Sequence, residues 1–170
     1  MKALPTGLQE FEYIRNNNGL YVDKTDIIYR LISGIKKQFF LSRPRRFGKT
    51  LLCWMLHELF NGKRELFEGL AISKTGWKWE SFPVIHLDMS VGDFDEGADS
   101  IRDAIQALLE ENARRLNVDL HTAKSLAVQF RQLINNAVAK YGKQAVIIID
   151  EYDRISKNRY SETQQSVGHP

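Results

Sequence analysis

Short continuous apolar runs alternate along the chain with longer stretches whose apolar residues recur at helical spacing. The runs FFL (39–41), VIHL (84–87) and AVIII (145–149) read as buried strands. The last is β-branched through its centre, as expected of a strand covered on both faces in a parallel sheet. Before the first run, Asp23 or Thr25 can cap a helix reaching to about Lys37, with Ile27, Ile28, Leu31, Ile32 and Ile35 as its buried stripe. Residues 51–60 (LLCWMLHELF) predict a helix that stops near Asn61-Gly62, and 65–70 (ELFEGL) a short turn or helix. Two amphipathic helices follow: about 98–116, with Ile101, Ile105, Leu108 and Leu109 inward, and about 120–141, with Leu126, Phe130, Leu133, Ile134 and Val138 inward and Gly142 as its stop. Residues 1–18 form a loosely patterned lead-in ending in the turn signal NNNG (16–19), and GDFDEG (92–97) is a polar loop. After Asp153 the segment RISKNRYSETQQSVGHP offers only Ile155 and Val167 for burial, which predicts a disordered or loosely attached tail.

Composition changes this picture little. The 170 residues are 43% hydrophobic and 26% charged, a globular balance long enough to bury a sizeable core as one domain. A net charge of +3 is compatible with nucleotides or nucleic acid and diagnostic of neither. The single cysteine, Cys53, has no partner for an intrachain disulfide, which points to a reducing compartment. The N-terminus has no apolar signal region and no stretch approaches membrane-spanning length, so the expectation is a soluble cytoplasmic protein.

The chemistry concentrates in QFFLSRPRRFGKT (38–50), a strand pattern running through a glycine-lysine-threonine turn into the 51–60 helix. That is the context of a phosphate-binding P-loop. The amides of Phe47, Gly48, Lys49, Thr50 and Leu51 fall at the positive end of the helix dipole, where an anion is favoured. Lys49 supplies a cation for the outer phosphates, and the Thr50 hydroxyl a ligand for magnesium. The pattern GxxxxGK[ST] is incomplete, because Arg43, followed by Pro44, stands where its first glycine belongs. Arg45 and Arg46 are candidates for the triphosphate, for a neighbouring subunit's site, or for plain surface.

A second constellation ends the 145–149 run. Asp150 sits at the C-terminal tip of a predicted parallel strand, where open α/β sheets place their ligands, and is the candidate magnesium holder. Glu151 is the candidate base for the water that attacks a γ-phosphate. Asp88, at the tip of the 84–87 run, could line the same site or simply hold a turn. His86 reads as a packed core histidine, with no second ligand at useful spacing. Trp77 and Trp79 read as a satellite hydrophobic cluster in preference to a base-stacking platform, and Arg114-Arg115 as a solvated helix face.

YVDKT (21–25), FFLSRPRRFGKT (39–50), LFEGL (66–70), PVIHLDMS (83–90) and IIIDEYD (147–153), in that order, resemble the bacterial AAA-ATPase-like family. Its P-loop is written RPRRFGKS/T, so Arg43 fits the family's own pattern, and its longer members often carry a C-terminal nuclease-like domain of the PD-(D/E)XK type. The resemblance covers about residues 5–153. It implies a P-loop NTPase-type parallel sheet flanked by helices and ATP as ligand. It also implies Gly48, Lys49 and Thr50 at the phosphates, and Asp150 and Glu151 at magnesium and water. Because the family continues with further strands after DEYD, the resemblance leads one to expect a fragment with an incomplete sheet: an AAA-ATPase-like part at 1–153 and a polar tail at 154–170. Self-association, and nucleic acid met through a missing nuclease-like domain, are the further partners it suggests.

Three functions compete at this stage: a magnesium-dependent ATPase core, a nucleotide-binding module without turnover, and an interaction domain whose Lys36, Lys37, Arg43, Arg45 and Arg46 meet a polyanion. The last is weakened because those cations flank opposite ends of one predicted strand.

Overall fold

Aromatic and aliphatic residues of the N-terminal half gather around a helix that begins at the glycine-lysine-threonine turn. The computed structural model describes residues 2–5, 7–42, 44, 46–91, 97–121 and 125–153. Backbone contacts cluster into two compact units, Met1–Ser81 and Phe82–Pro170.

The first unit holds helices α1 (Phe11–Asn16), α2 (Thr25–Ile32) and α3 (Lys49–Phe60), then 3-10 turns at Arg64–Phe67 and Ala71–Lys74. Its core is Phe11, Ile28, Met55, Leu59, Leu66, Phe67, Leu70 and Ile72, with Trp77 and Trp79 packed against it. Trp79 meets Phe67 at 5.3 Å between ring centroids and Trp77 meets Phe60 at 5.7 Å, so both indoles serve packing. The block YVDKT holds the turn that follows LFEGL. Asp23 Oδ1 accepts hydrogen bonds from the Thr25 amide and hydroxyl, its Oδ2 accepts from the Ala71 amide, and Thr25 Oγ1 accepts from the Ile72 amide. Burial pushes the Asp23 carboxyl up, but those donors outweigh it and hold the group below its usual range. Arg15 of α1 donates to the carbonyls of Leu66 and Glu68, closing the same corner.

Two expectations fail here. Helix α2 ends at Ile32, short of Lys37, and of its expected stripe Ile28 is buried whereas Ile27 and Leu31 are exposed and Ile35 almost fully so. The Gly34 step and the chain's departure from helix after Ser33 leave Ile35 no core to face. Residues 39–41 form no strand, and Phe39, Phe40 and Leu41 are 48%, 74% and 37% exposed. A strand needs a ladder partner, and the first unit's described residues hold only an isolated bridge, Ala3 to Gly19.

The second unit is mixed α/β. Strands β1 (Val84–Asp88) and β2 (Val146–Asp150) pair in parallel, joined through α4 (Ala98–Leu116) and α5 (Leu126–Tyr141). Helix α4 has the limits its periodicity predicts, whereas α5 starts at Leu126 instead of 120 and ends at Gly142, whose φ of 64° is left-handed. Ile85 and Leu87 join Leu108, Leu109, Ala113, Leu133 and Ala137 in one core, which explains the burial of that face of β1. β2 is not the doubly covered strand its composition predicts: Ile147 and Ile149, in register with Ile85 and Leu87, are 43% and 48% exposed. The backbone groups of Ile147 and Ile149 also point to the outer edge of the sheet, which no described residue pairs.

β1's outer edge is closed by side chains. Val146 N donates to Pro83 O and Met89 N to Asp150 O, so alternation turns the His86 amide and carbonyl away from β2. Buried Asn112 of α4 takes both, accepting from His86 N and donating to His86 O at 2.9 Å each. Arg115 adds a bond to the Val84 carbonyl, so this arginine serves the strand edge as well as a solvated face.

Candidate functional site

The glycine-lysine-threonine turn is built as a loop entering a helix. Gly48 is the N-cap of α3, with φ 71° and ψ 28°, and Arg46 is left-handed too, at φ 66°. Two such residues in three reverse the chain sharply and bring it into α3 at Lys49. The Leu52 amide donates to the Gly48 carbonyl at 3.1 Å, the first bond of the helix, and no side chain caps the helix start. The opening amides of α3 therefore keep the character expected of an anion cradle. Arg46, Phe47 and Gly48 are exposed, while Lys49, Thr50 and Leu51 are half-buried. Arg43 and Arg45 lie outside the described residues.

Behind the loop, α3 is anchored by polar contacts the sequence pattern does not advertise. Glu58, 3% exposed, pairs with the Lys63 ammonium at 3.0 Å and lies 2.9 Å from His57 Nδ1, while Lys63 also reaches Glu12 of α1 at 2.9 Å. Burial pushes the Glu58 carboxyl up, yet its bonds to His57 and Lys63 win and hold it below the ordinary range. The Glu12 and Glu58 carboxylates overcome the burial of Lys63 and raise its ammonium. Only the sequence separation of charges that meet in space hides this network from a pattern reading.

In the second unit the structure brings three carboxylates to one end of the sheet. Asp88 and Asp150 are direct partners in the parallel register, each the last residue of its strand, and Glu151 follows. Asp88 Oδ1 accepts from the Ser90 amide at 2.8 Å, and Asp150 Oδ1 accepts from the Glu151 amide at 2.9 Å. Asp150 is 3% exposed, and its Oδ2 is buried without a hydrogen-bond partner among the described residues. Glu151 is half-buried and left-handed, at φ 52°, so the chain leaves β2 through a sharp turn at the residue expected to work as a base. An orphaned buried carboxylate oxygen suits a hard cation, the type of ligand expected of Asp150. Among the described residues no group of three or more His, Cys, Asp or Glu side chains is placed to hold a metal, and no helix is long and apolar enough to cross a membrane. His86 is buried on β1, its backbone held by Asn112, in keeping with a packed residue.

The sequence matches the AAA-ATPase-like family, described as predicted AAA-ATPase, over residues 5–168, so the match runs on past Asp153. A relative from Azotobacter chroococcum mcd 1, the "Uncharacterized protein in vnfD 5'region", is 37% identical over 155 residues. That alignment takes in 90% of this chain and 29% of the relative, so the chain spans under a third of the relative's length. No solved structure matches the chain significantly. A family match across nearly the whole sequence, taking in the loop and the acidic strand tip described above, fixes the assignment: the chain belongs to the family of predicted AAA-ATPases.

Proposed function

We propose that this chain carries the nucleotide site of a P-loop ATPase, with ATP held at the loop that opens α3 and magnesium at the tip of β2. The observation that carries the reading is the left-handed Gly48 N-cap, which presents uncapped amides beside Lys49 and Thr50. Those amides, with Phe47 and Leu51 flanking them, bind the phosphates, and Lys49 offsets the charge of the outer ones. Exposed Arg46 adds positive charge beside the loop, and Arg45, outside the described residues, is a further candidate for the triphosphate. Thr50 and Asp150 are the residues that would hold magnesium. When bound, magnesium neutralises charge on the outer phosphates. Glu151 orients the attacking water and accepts its proton. The outer edge of β2, which no described residue pairs, with Ile147 and Ile149 exposed beside it, supports a larger parallel sheet of the P-loop NTPase type.

Titration calorimetry of the chain with ATP and magnesium tests the reading, together with a turnover assay. Lys49→Ala is expected to abolish nucleotide binding. Glu151→Gln is expected to preserve binding and lose hydrolysis. ATP affinity unchanged by Lys49→Ala refutes the reading. Tight binding with background hydrolysis in the unaltered chain selects a nucleotide-binding module without turnover.

A further inference from the structure

Parallel strands in register project partner side chains to the same face, with Cα atoms about 4.8 Å apart. Asp88 and Asp150 are such a pair at the strand tips. Each uses one oxygen to accept a backbone amide, from Ser90 and from Glu151, which holds the carboxylates in place. The second oxygen of Asp150 is buried and takes no hydrogen bond among the described residues. Among the described residues, neither Asp88 nor Asp150 is seen in an ion pair. Two like charges held side by side, one of them out of water and without a counter-charge among the described residues, are unfavourable, and a cation joining them relieves the repulsion. The donors are oxygens alone, which selects magnesium or manganese over zinc. Magnesium characteristically uses one or two carboxylates and completes its shell with water, so a site of two carboxylates is sufficient.

We infer that Asp88 and Asp150, partners at the strand tips of the second unit, together form a divalent-cation site that fills without nucleotide. The inference deepens the ATPase reading, by adding Asp88 to its cation and by placing metal binding ahead of ATP, and it rests on that reading only for what the cation is used for.

The test is manganese uptake by the full chain in nucleotide-free buffer, followed by the electron paramagnetic resonance signal of free Mn²⁺, with magnesium as competitor. The unaltered chain is expected to take up one ion, and magnesium to displace it. Asp88→Asn and Asp150→Asn are each expected to weaken uptake at least tenfold, Asp88→Glu to restore most of it, and Lys49→Ala to leave it unchanged. Manganese is also expected to raise the melting temperature of the unaltered chain and not of Asp88→Asn. Circular dichroism checks each variant; should Asp88→Asn fail to fold, Asp88→Ser takes its place. Undiminished uptake by a folded Asp88 variant overturns the inference, as does the absence of uptake into the millimolar range without nucleotide. The two readings fail separately. A chain that binds no ATP yet loses manganese on Asp88→Asn keeps the cation site and loses the ATPase reading. Normal ATP binding with no nucleotide-free uptake does the reverse.

Discussion

Asn112→Ala should cost more than any other single change at a polar residue of the second unit, because the side chain does for the edge of β1 what a neighbouring strand would do. Asn112 is 2% exposed and closes the outer edge of β1, accepting from His86 N and donating to His86 O, with a third bond to the Leu108 carbonyl at 2.8 Å. Truncation leaves the His86 amide and carbonyl buried and unpaired, at roughly 1–3 kcal/mol each. Some water will enter the space the amide vacates, which favours the lower half of that range and a total loss of about 3 kcal/mol. At a urea slope of about 2 kcal/mol per molar, the midpoint of the second unit's transition should fall by about 1.5 M. Asn135→Ala, at an exposed position of α5, is the control and should stay within about 0.5 kcal/mol. Hydrogen exchange supplies the local readout: the His86 amide should lose protection ahead of the Ile148 and Asp150 amides, which bond into the ladder. Because Asp88 lies two residues beyond His86, loosening this edge should also weaken manganese uptake at the strand tip. A midpoint within 0.5 M of the unaltered chain, with His86 still protected, refutes the claim that Asn112 holds the strand.

Gly48→Ala meets no atom within 4 Å, yet it forces a side chain into φ 71°. A loss of about 1 kcal/mol in thermal stability is expected from the backbone alone, together with weaker nucleotide binding; unchanged values in both assays would contradict the loop geometry. The Glu58 carboxyl is held below its unfolded range, so its contribution to stability is present above the ordinary glutamate value near pH 4.5 and is lost as pH falls through the lower folded value. Urea midpoints between pH 6 and pH 3 should therefore decline more steeply for the unaltered chain than for Glu58→Gln, and parallel curves would show that Glu58 plays no part in acid sensitivity. Lys49→Ala and Glu151→Gln divide binding from turnover as set out above, and Asp88→Asn reports the cation site.

What could be read without coordinates was whatever depends on near neighbours in the chain. Periodicity placed α4 at its observed limits, Gly142 marked the end of α5, and the Val84 and Val146 runs identified both strands. The glycine-lysine-threonine turn announced a helix start, and both strand-tip acids stood out as a carboxylate after an apolar run. Helix α1 was missed because six residues are too few for a period, and Phe11 and Ile14 become core only through packing. The 39–41 run was misread because apolar β-formers make a strand only where a ladder receives them. Tertiary structure alone decided that Asp23 and Thr25 hold the Ala71 turn, that Glu58 meets Lys63 and Lys63 meets Glu12, and that Asn112 replaces a neighbouring strand. It alone set Asp88 in register with Asp150, through a pairing of strands some sixty residues apart whose alignment is fixed by the α4 and α5 crossover packing, a long-range choice that no local propensity encodes.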